Sequence, residues 1–260
     1  MTNPLLSLAR KTWIALGGGK NRPYPAIPSP YRRSGILFVH IPKAAGSTLT
    51  LNLFGTRLGH RTLEAFWNAD PDFTQNAFKF SFVRHPYLRF VSAYRYLSRG
   101  GISTHDAAYL ERYPDEFRSP RTLVEACEAP AFRSAVLHLA PQSGYLCLPA
   151  HARHKIHMDF VGKTEFFNQH IDLLCTLVPS EIAPRLLLCK HARYNVHPSS
   201  LPDIDPDVFH KIRTLYQEYV HPKSSEITWT LKLYPGCCRN RVSTLLARMV
   251  SEGLLRTKWG

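Results

Sequence analysis

The 260 residues contain no G-x-x-x-x-G-K-[ST] sequence, no C-x-x-C pair and no apolar run approaching the roughly 20 residues a membrane span needs. The first absence disfavours a nucleotide kinase or another NTPase of the Walker type. The second, with no cysteine–histidine cluster at zinc-finger spacing, leaves no expected metal site. The six cysteines (127, 147, 175, 189, 237 and 238) read as reduced thiols, since a chain of this length does not need disulfides. Acidic side chains are scarce, 19 Asp and Glu against 33 Lys and Arg, which gives a formal charge of +14. Such a field favours an anionic partner: nucleic acid, an acidic membrane face, a phosphorylated cofactor or an acidic polysaccharide. No zinc finger, aromatic RNA-binding motif or basic zipper is present, so nucleic acid is not the expected partner. A non-enzymatic basic module that binds nucleic acid or an acidic polysaccharide is the alternative class to weigh.

What is present divides the chain unevenly. Near the start, "PLLSLARKTWIAL" is broken by Arg10 and Lys11, which suits an amphipathic helix better than a signal peptide. The Gly- and Pro-rich residues 17–34 read as a linker, so residues 1–34 form a helix and linker ahead of one domain at 35–260. Toward the far end Leu245, Leu246, Met249, Val250 and Leu254 make an apolar stripe beside Arg248, Arg256 and Lys258, as in a helix packed on the core. The expected location is the cytoplasm, with peripheral contact to a membrane surface.

"GILFVHI" at 35–41 is apolar without alternation, the pattern of a strand buried on both faces of a parallel sheet. A helix is expected from Ser47 to Leu58. In "NAFKFSFVR", Phe78, Phe80 and Phe82 alternate with Lys79 and Ser81, which predicts a second strand ending near Arg84. Pro86 suits the first turn of the helix "PYLRFVSAYRYL", where its missing N–H has no partner to lose. Residues 98–120 read as a polar loop, and Thr122-x-x-Glu125 as a capping box for a helix that Pro130 breaks. "MDFVG" at 158–162 is the third expected strand, with Thr164 capping "EFFNQHIDLLCTLV". Asp205 and Asp207 open a later helix with Val208, Ile212, Leu215 and Tyr219 on one face, ending at Pro222. Strands alternating with helices imply crossover connections, hence an α/β fold with a mostly parallel central sheet and helix-rich additions.

In such sheets ligands sit beyond the carboxyl ends of the strands. After the first strand, "PKAAGST" presents the small residues Ala44, Ala45 and Gly46, then a helix N-terminus whose free N–H groups and dipole attract anions. Ser47 and Thr48 add hydroxyls, Lys43 a mobile charge, and Gly46 allows close backbone approach. After the second strand, Arg84 stands at the strand end and Ser92 about two turns into the next helix. Arg89, Arg95 and Arg99 read as solvated or paired elsewhere. Two anion grips on neighbouring strand ends suit a nucleotide with phosphate at both its 5′ and 3′ positions.

Taken together, "FVHIPKAAGSTL" and "FSFVRHPYLRFVSAYRYL" resemble the 5′-phosphosulfate loop and the 3′-phosphate motif of sulfotransferases that use 3′-phosphoadenosine-5′-phosphosulfate (PAPS). The likeness is to the carbohydrate branch of Golgi and bacterial enzymes, typified by heparan and chondroitin sulfotransferases. "PQSGYL" at 141–146 and "DFVGKTEFFNQHIDLL" at 159–174 also resemble family segments, and the likeness runs from about residue 35 to 220. The resemblance implies a P-loop-like three-layer fold, PAPS as co-substrate and no metal. It implies that Lys43, Ala44, Ala45, Gly46, Ser47 and Thr48 hold the 5′-phosphosulfate, that Arg84 and Ser92 hold the 3′-phosphate, and that Thr164 and Glu165 approach the nucleotide. His85 departs from the Asn or Asp more frequent at its position, Lys163 from an arginine, and "HPKSSEI" from an acidic and aromatic pattern.

The reaction implied is transfer of a sulfuryl group to a hydroxyl of a carbohydrate acceptor, a glycan or glycolipid. Basic residues at 98–121 and 149–157 hint at an acidic one. Lys43 is then the group that neutralises charge on the departing oxygen. A hydroxyl acceptor needs a base, and His60, following the first helix, is the candidate among 13 histidines. Glu64, four residues on and on the same face if the segment is helical, is the reserve. His40 is expected to make a structural hydrogen bond, His85 to serve a helix N-terminus, and His151, His154 and His157 to sit in a solvated basic loop.

Overall fold

The computed structural model describes residues 25–146, 148, 158–192 and 205–216. The expected terminal helices, the histidine-rich segment 151–157, Tyr219, Pro222, "HPKSSEI" and Cys237–Cys238 lie outside them. A short helix, α1 (Ser29–Ser34), leads into β1 (Ile36–Val39), α2 (Gly46–Phe54), α3 (Leu63–Ala69), α4 (Pro71–Asn76), β2 (Phe78–Val83) and α5 (Pro86–Leu97). The order continues with α6 (Thr104–Arg112), α7 (Pro120–Ala126), α8 (Pro130–Ala135), α9 (Gln142–Leu146), β3 (Phe160–Lys163), a 3₁₀ turn (Thr164–Phe166), α10 (Phe167–Leu177), α11 (Ala183–Leu188) and α12 (Pro206–Leu215).

The three strands form one sheet in the order β1-β2-β3, parallel throughout, with Val39 opposite Ser81 and Val83 opposite Lys163. All four residues of β1 are buried, so helices must cover the sheet on both faces. The fold is therefore the expected α/β arrangement. One core gathers Ile36, Phe38, Phe80, Phe82, Leu49 and Ile171 around the sheet. A second core joins α5 to α6, α7, α8 and α12 through Phe90, Leu97, Tyr109, Leu123, Phe132 and Ile212, and these are the helix-rich additions.

Several local expectations need correction. Both alternating sets of residues in β2 are buried at its centre. Lys79 is buried, donating to the carbonyls of Ala77 and Gln75 and pairing with Asp159 at 3.1 Å, and the Ser81 hydroxyl donates to Val39 at 2.7 Å. The loop expected at 98–120 holds α6, whose N-cap is Ser103. Thr122 belongs to the third position of a capping box whose N-cap is Ser119, because Pro120 already opens the helix. Pro130 starts α8 rather than breaking α7. Thr164 caps nothing, since a 3₁₀ turn intervenes before α10. Part of the expected linker is helical, as α1 buries Tyr31 and donates its hydroxyl to the Phe38 carbonyl at 3.0 Å. Asp205 does open α12, accepting from the Asp207 N–H at 2.8 Å. Among the described residues no helix is long and apolar enough to cross a membrane, and no group of three or more His, Cys, Asp or Glu side chains could hold a metal ion. Cys127, Cys175 and Cys189 are free thiols.

Candidate active site

The sheet places the two loops side by side. β1 and β2 are adjacent and parallel, so the segments that leave their carboxyl ends emerge together. The first, Pro42 to Ala45, bends through two left-handed residues, Lys43 at φ 65° and Ala45 at φ 63°. Neither is glycine, and non-glycine residues seldom hold this conformation unless the surroundings impose it. Gly46 is the first residue of α2, and packing also requires glycine there. A Cβ there would lie 1.7 Å from Nε2 of His40, so glycine makes room for a buried imidazole. Ala45 occupies the N-cap with no side chain to cap the helix, which leaves the cap position to an anion. Ala44 and Thr48 are buried, while Ser47 is partly exposed in the first turn.

The second segment grips the first. The Arg84 guanidinium donates to the Lys43 carbonyl at 3.3 Å, and Arg89 donates to the Pro42 carbonyl at 3.0 Å. Arg89 is only 3% exposed, so of the two readings offered for it, solvated or paired elsewhere, the second holds. Tyr96 lies beneath the lysine, whose ammonium sits 3.8 Å from the centre of its ring. Residues 89, 92 and 96 share one face of α5 by helical periodicity, so Ser92 stands between the two side chains that reach this loop. The tip of β2 is held from its other side by Gln142, which accepts from the Arg84 N–H at 3.0 Å and returns a bond to its carbonyl at 2.9 Å. Glu165 accepts the His85 N–H at 2.7 Å and a bond from Thr164 at 3.2 Å. His85 occupies the N-cap of α5, yet its side chain makes no capping bond, so the expectation for it does not hold.

Behind Lys43 lies a chain of aromatic and polar groups. Nδ1 of His40 donates to the Leu58 carbonyl at 2.9 Å, and Nδ1 of His60 donates to the His40 carbonyl at 3.0 Å. Both acceptors are carbonyls, so the proton of each ring is on Nδ1 and the lone pair is on Nε2. The two rings stand 4.0 Å apart, and His138 lies 6.0 Å beyond His60. Nδ1 of His138 is 3.7 Å from Asp106, which also receives hydrogen bonds from Tyr96 at 2.7 Å and Ser103 at 2.6 Å. Glu64 sits in the first turn of α3 behind the Thr62 cap and makes no hydrogen bond or ion pair with these groups. The helix starts after His60, so the shared helical face expected for the two does not exist.

The charges follow from burial and neighbours. Burial, then the nearby Arg84, then Arg89 pull the Lys43 ammonium down to about 8 against an opposing pull from Asp106. Burial, more than any charge, lowers His60 to about 4, so its ring is neutral across the physiological range. Burial and the neighbouring His60 lower His138 to about 3, and His40 is held well below its ordinary value by burial and His60. The arrangement thus offers a lysine in the loop before a helix N-terminus, an arginine bonded to that loop and a neutral imidazole that carries its proton on Nδ1. These are the elements for holding an anion and removing a proton from a hydroxyl.

Sequence reasoning finds Lys43, Arg84 and His60 because each stands at an element boundary. It misses Tyr96, Asp106, His138 and Gln142. Only Tyr96 and Arg89 left a trace, namely their helical spacing from Ser92; the other three are brought in by chain crossings that no local pattern encodes.

The model of the sulfotransferase family matches residues 31–221, a span that includes both loops and every element from β1 to α12. No curated protein and no solved structure matches the chain. Because the match covers well over half of the chain, the chain belongs to the sulfotransferase family.

Proposed function

We propose that the protein transfers a sulfuryl group from PAPS to a hydroxyl of a carbohydrate acceptor, a glycan or glycolipid. The observation that carries this reading is the hydrogen bond from Arg84 to the carbonyl of Lys43, which gathers two cationic side chains and an uncapped helix N-terminus at one place. A nucleotide with anionic groups at both ends fits such a pair of grips. When bound, it supplies an activated sulfuryl group on its 5′-phosphate.

The chain's own residues do the rest. Lys43 brings a positive charge to the oxygen that departs with the nucleotide, and the backbone N–H groups at the start of α2 hold the same end. Arg84 and Ser92 take the 3′-phosphate. Thr164 donates to Glu165, which also accepts the His85 N–H, and so lies beside the tip of β2. His60 removes the acceptor proton through Nε2, because Nδ1 is committed to the His40 carbonyl. Glu64 has no comparable anchoring. The surplus of 33 basic over 19 acidic side chains favours an acidic acceptor, approached from the cytoplasm or a membrane surface.

The test is a thermal-shift comparison of 3′-phosphoadenosine-5′-phosphate, ATP and duplex DNA. Stabilisation by the first is expected, reaching about 2.7 kcal/mol at a hundredfold excess over Kd, with much less from the others. Stabilisation by DNA alone would support a basic binding module instead. Lys43→Ala is expected to lower turnover by about a hundredfold or more while keeping nucleotide stabilisation. Near-normal turnover in that variant would remove Lys43 from the mechanism.

A further inference from the structure

We propose that Tyr96 is a positioning residue whose ring face is the resting post of the Lys43 ammonium, from which the lysine moves to the 5′ end of the nucleotide. The inference rests on the reading of Lys43 given above and adds to it where the charge waits when no nucleotide is bound.

Three observations carry it. First, the ammonium lies 3.8 Å from the ring centre, within the range of a cation–π contact. Second, the groups that act on the lysine are mostly of its own sign or neutral. Arg84 comes from the end of β2 and Arg89 from α5, the imidazoles of His60 and His138 are neutral, and Asp106 on α6 is the one carboxylate among its electrostatic partners. Asp106 already accepts hydrogen bonds from Tyr96 and Ser103, so the ring is what meets the ammonium directly. A ring face holds a cation without neutralising it, and releases it more readily than a carboxylate does.

Third, the ring is fixed by a structure built around its hydroxyl. The phenol donates to Asp106 at 2.7 Å and accepts the Ile102 N–H at 3.1 Å, so its polar edge is pinned from two directions. The turn that makes this possible runs through Gly100 at φ 78° and Gly101 at φ 64°. A Cβ on Gly101 would stand 2.3 Å from Cβ of Asp106 and 3.0 Å from the Tyr96 ring, so the turn closes only with glycine there. The hydrogen bond to a carboxylate also enriches the ring in electron density, which strengthens its hold on a cation.

The experiment uses the full chain with lysines reductively methylated by ¹³C-formaldehyde, a change that preserves their charge. The Lys43 resonance is the one absent from the Lys43→Arg variant. Lying over a ring face, it is expected upfield of exposed lysines in the wild type and in Tyr96→Phe, and at the exposed position in Tyr96→Leu, with a lower titration midpoint there. A wild-type signal at the exposed position, or one unmoved by Tyr96→Leu, overturns the proposal; the wild-type position alone decides if Tyr96→Leu does not fold. Saturating 3′-phosphoadenosine-5′-phosphate is expected to shift the wild-type signal off the ring. Calorimetric binding without that shift overturns the release step. Absence of binding overturns the nucleotide reading, while the unliganded spectrum still decides the ring contact.

Discussion

In the proposed mechanism, the role of His60 as a base depends on what holds its far nitrogen. The His40 carbonyl takes the Nδ1 proton, so the lone pair on Nε2 is fixed by a backbone atom rather than by a titratable partner. Burial then keeps the ring neutral down to about 4, while Lys43 stays charged only up to about 8. The expected profile of kcat/KM against pH is a bell. Turnover is expected to fall below about 4 as His60 gains a proton, and above about 8 as Lys43 loses one, because in the proposed transfer removal of the acceptor proton needs neutral imidazole and departure of the nucleotide needs ammonium. Replacing Lys43 by arginine should remove the alkaline limb from the accessible range, and a limb that persists near 8 would assign it to another group. Gly46 matters at the same scale. Gly46→Ala would drive a methyl into the His40 ring, and the overpacking is expected to cost about 1–3 kcal/mol and to displace His60 with it. Thermal denaturation together with the acid limb of the profile measures both effects. Lys43 was legible in the sequence because it follows an apolar strand and precedes small residues. The purpose of Gly46 was not, since the imidazole it accommodates is defined only by the fold.

Elements place the site through buried polar bonds. β2 and α5 have the limits the sequence suggests within a residue or two, because the Phe alternation and Pro86 mark both ends. What the pattern does not carry is the cross-link between elements. Gln142 on α9 is 3% exposed and closes two bonds on the peptide groups of Arg84, fixing the strand tip that carries the guanidinium. Gln142→Ala leaves that peptide N–H and carbonyl without partners, at a cost of about 1–3 kcal/mol. A lower melting temperature and weaker nucleotide binding, read by denaturation and calorimetry, are the expected outcomes. Unchanged nucleotide affinity would show that the tip is held by other means. Lys79 teaches a similar lesson. It is 4% exposed, and its ion partner Asp159 lies eighty residues away in sequence, which no local pattern encodes. The Pro42 carbonyl that pairs with Arg89 is likewise set only by the fold.

At the scale of the molecule the parallel sheet follows from the alternation of strands and helices, which is why the fold class is readable, whereas the strand order and the packing of the second core are not encoded in that pattern. The acid stability is a property of the assembled interior instead. His40, His60 and His138 all have folded values below their ordinary one, so the unfolded chain binds more protons between about pH 4 and 6.5. Stability contributed by the neutral rings is complete above that window and is lost as pH falls through it. Denaturant titrations at pH 7 and pH 5 should differ by a few kcal/mol, and equal midpoints would contradict the buried cluster. The sheet core supplies the counterweight: Phe80, fully buried and stacked on Phe38 at 4.9 Å, is expected to cost about 3–5 kcal/mol when changed to alanine.

The bond from Arg84 to the Lys43 carbonyl has one more consequence. It ties the two strand tips into a caliper of fixed opening, and a caliper reads length. If the proposed function holds, a nucleotide whose phosphate chain is extended, or whose second phosphate is moved to the neighbouring ribose oxygen, is expected to engage one jaw and miss the other, so that selectivity would come from the sheet's own spacing.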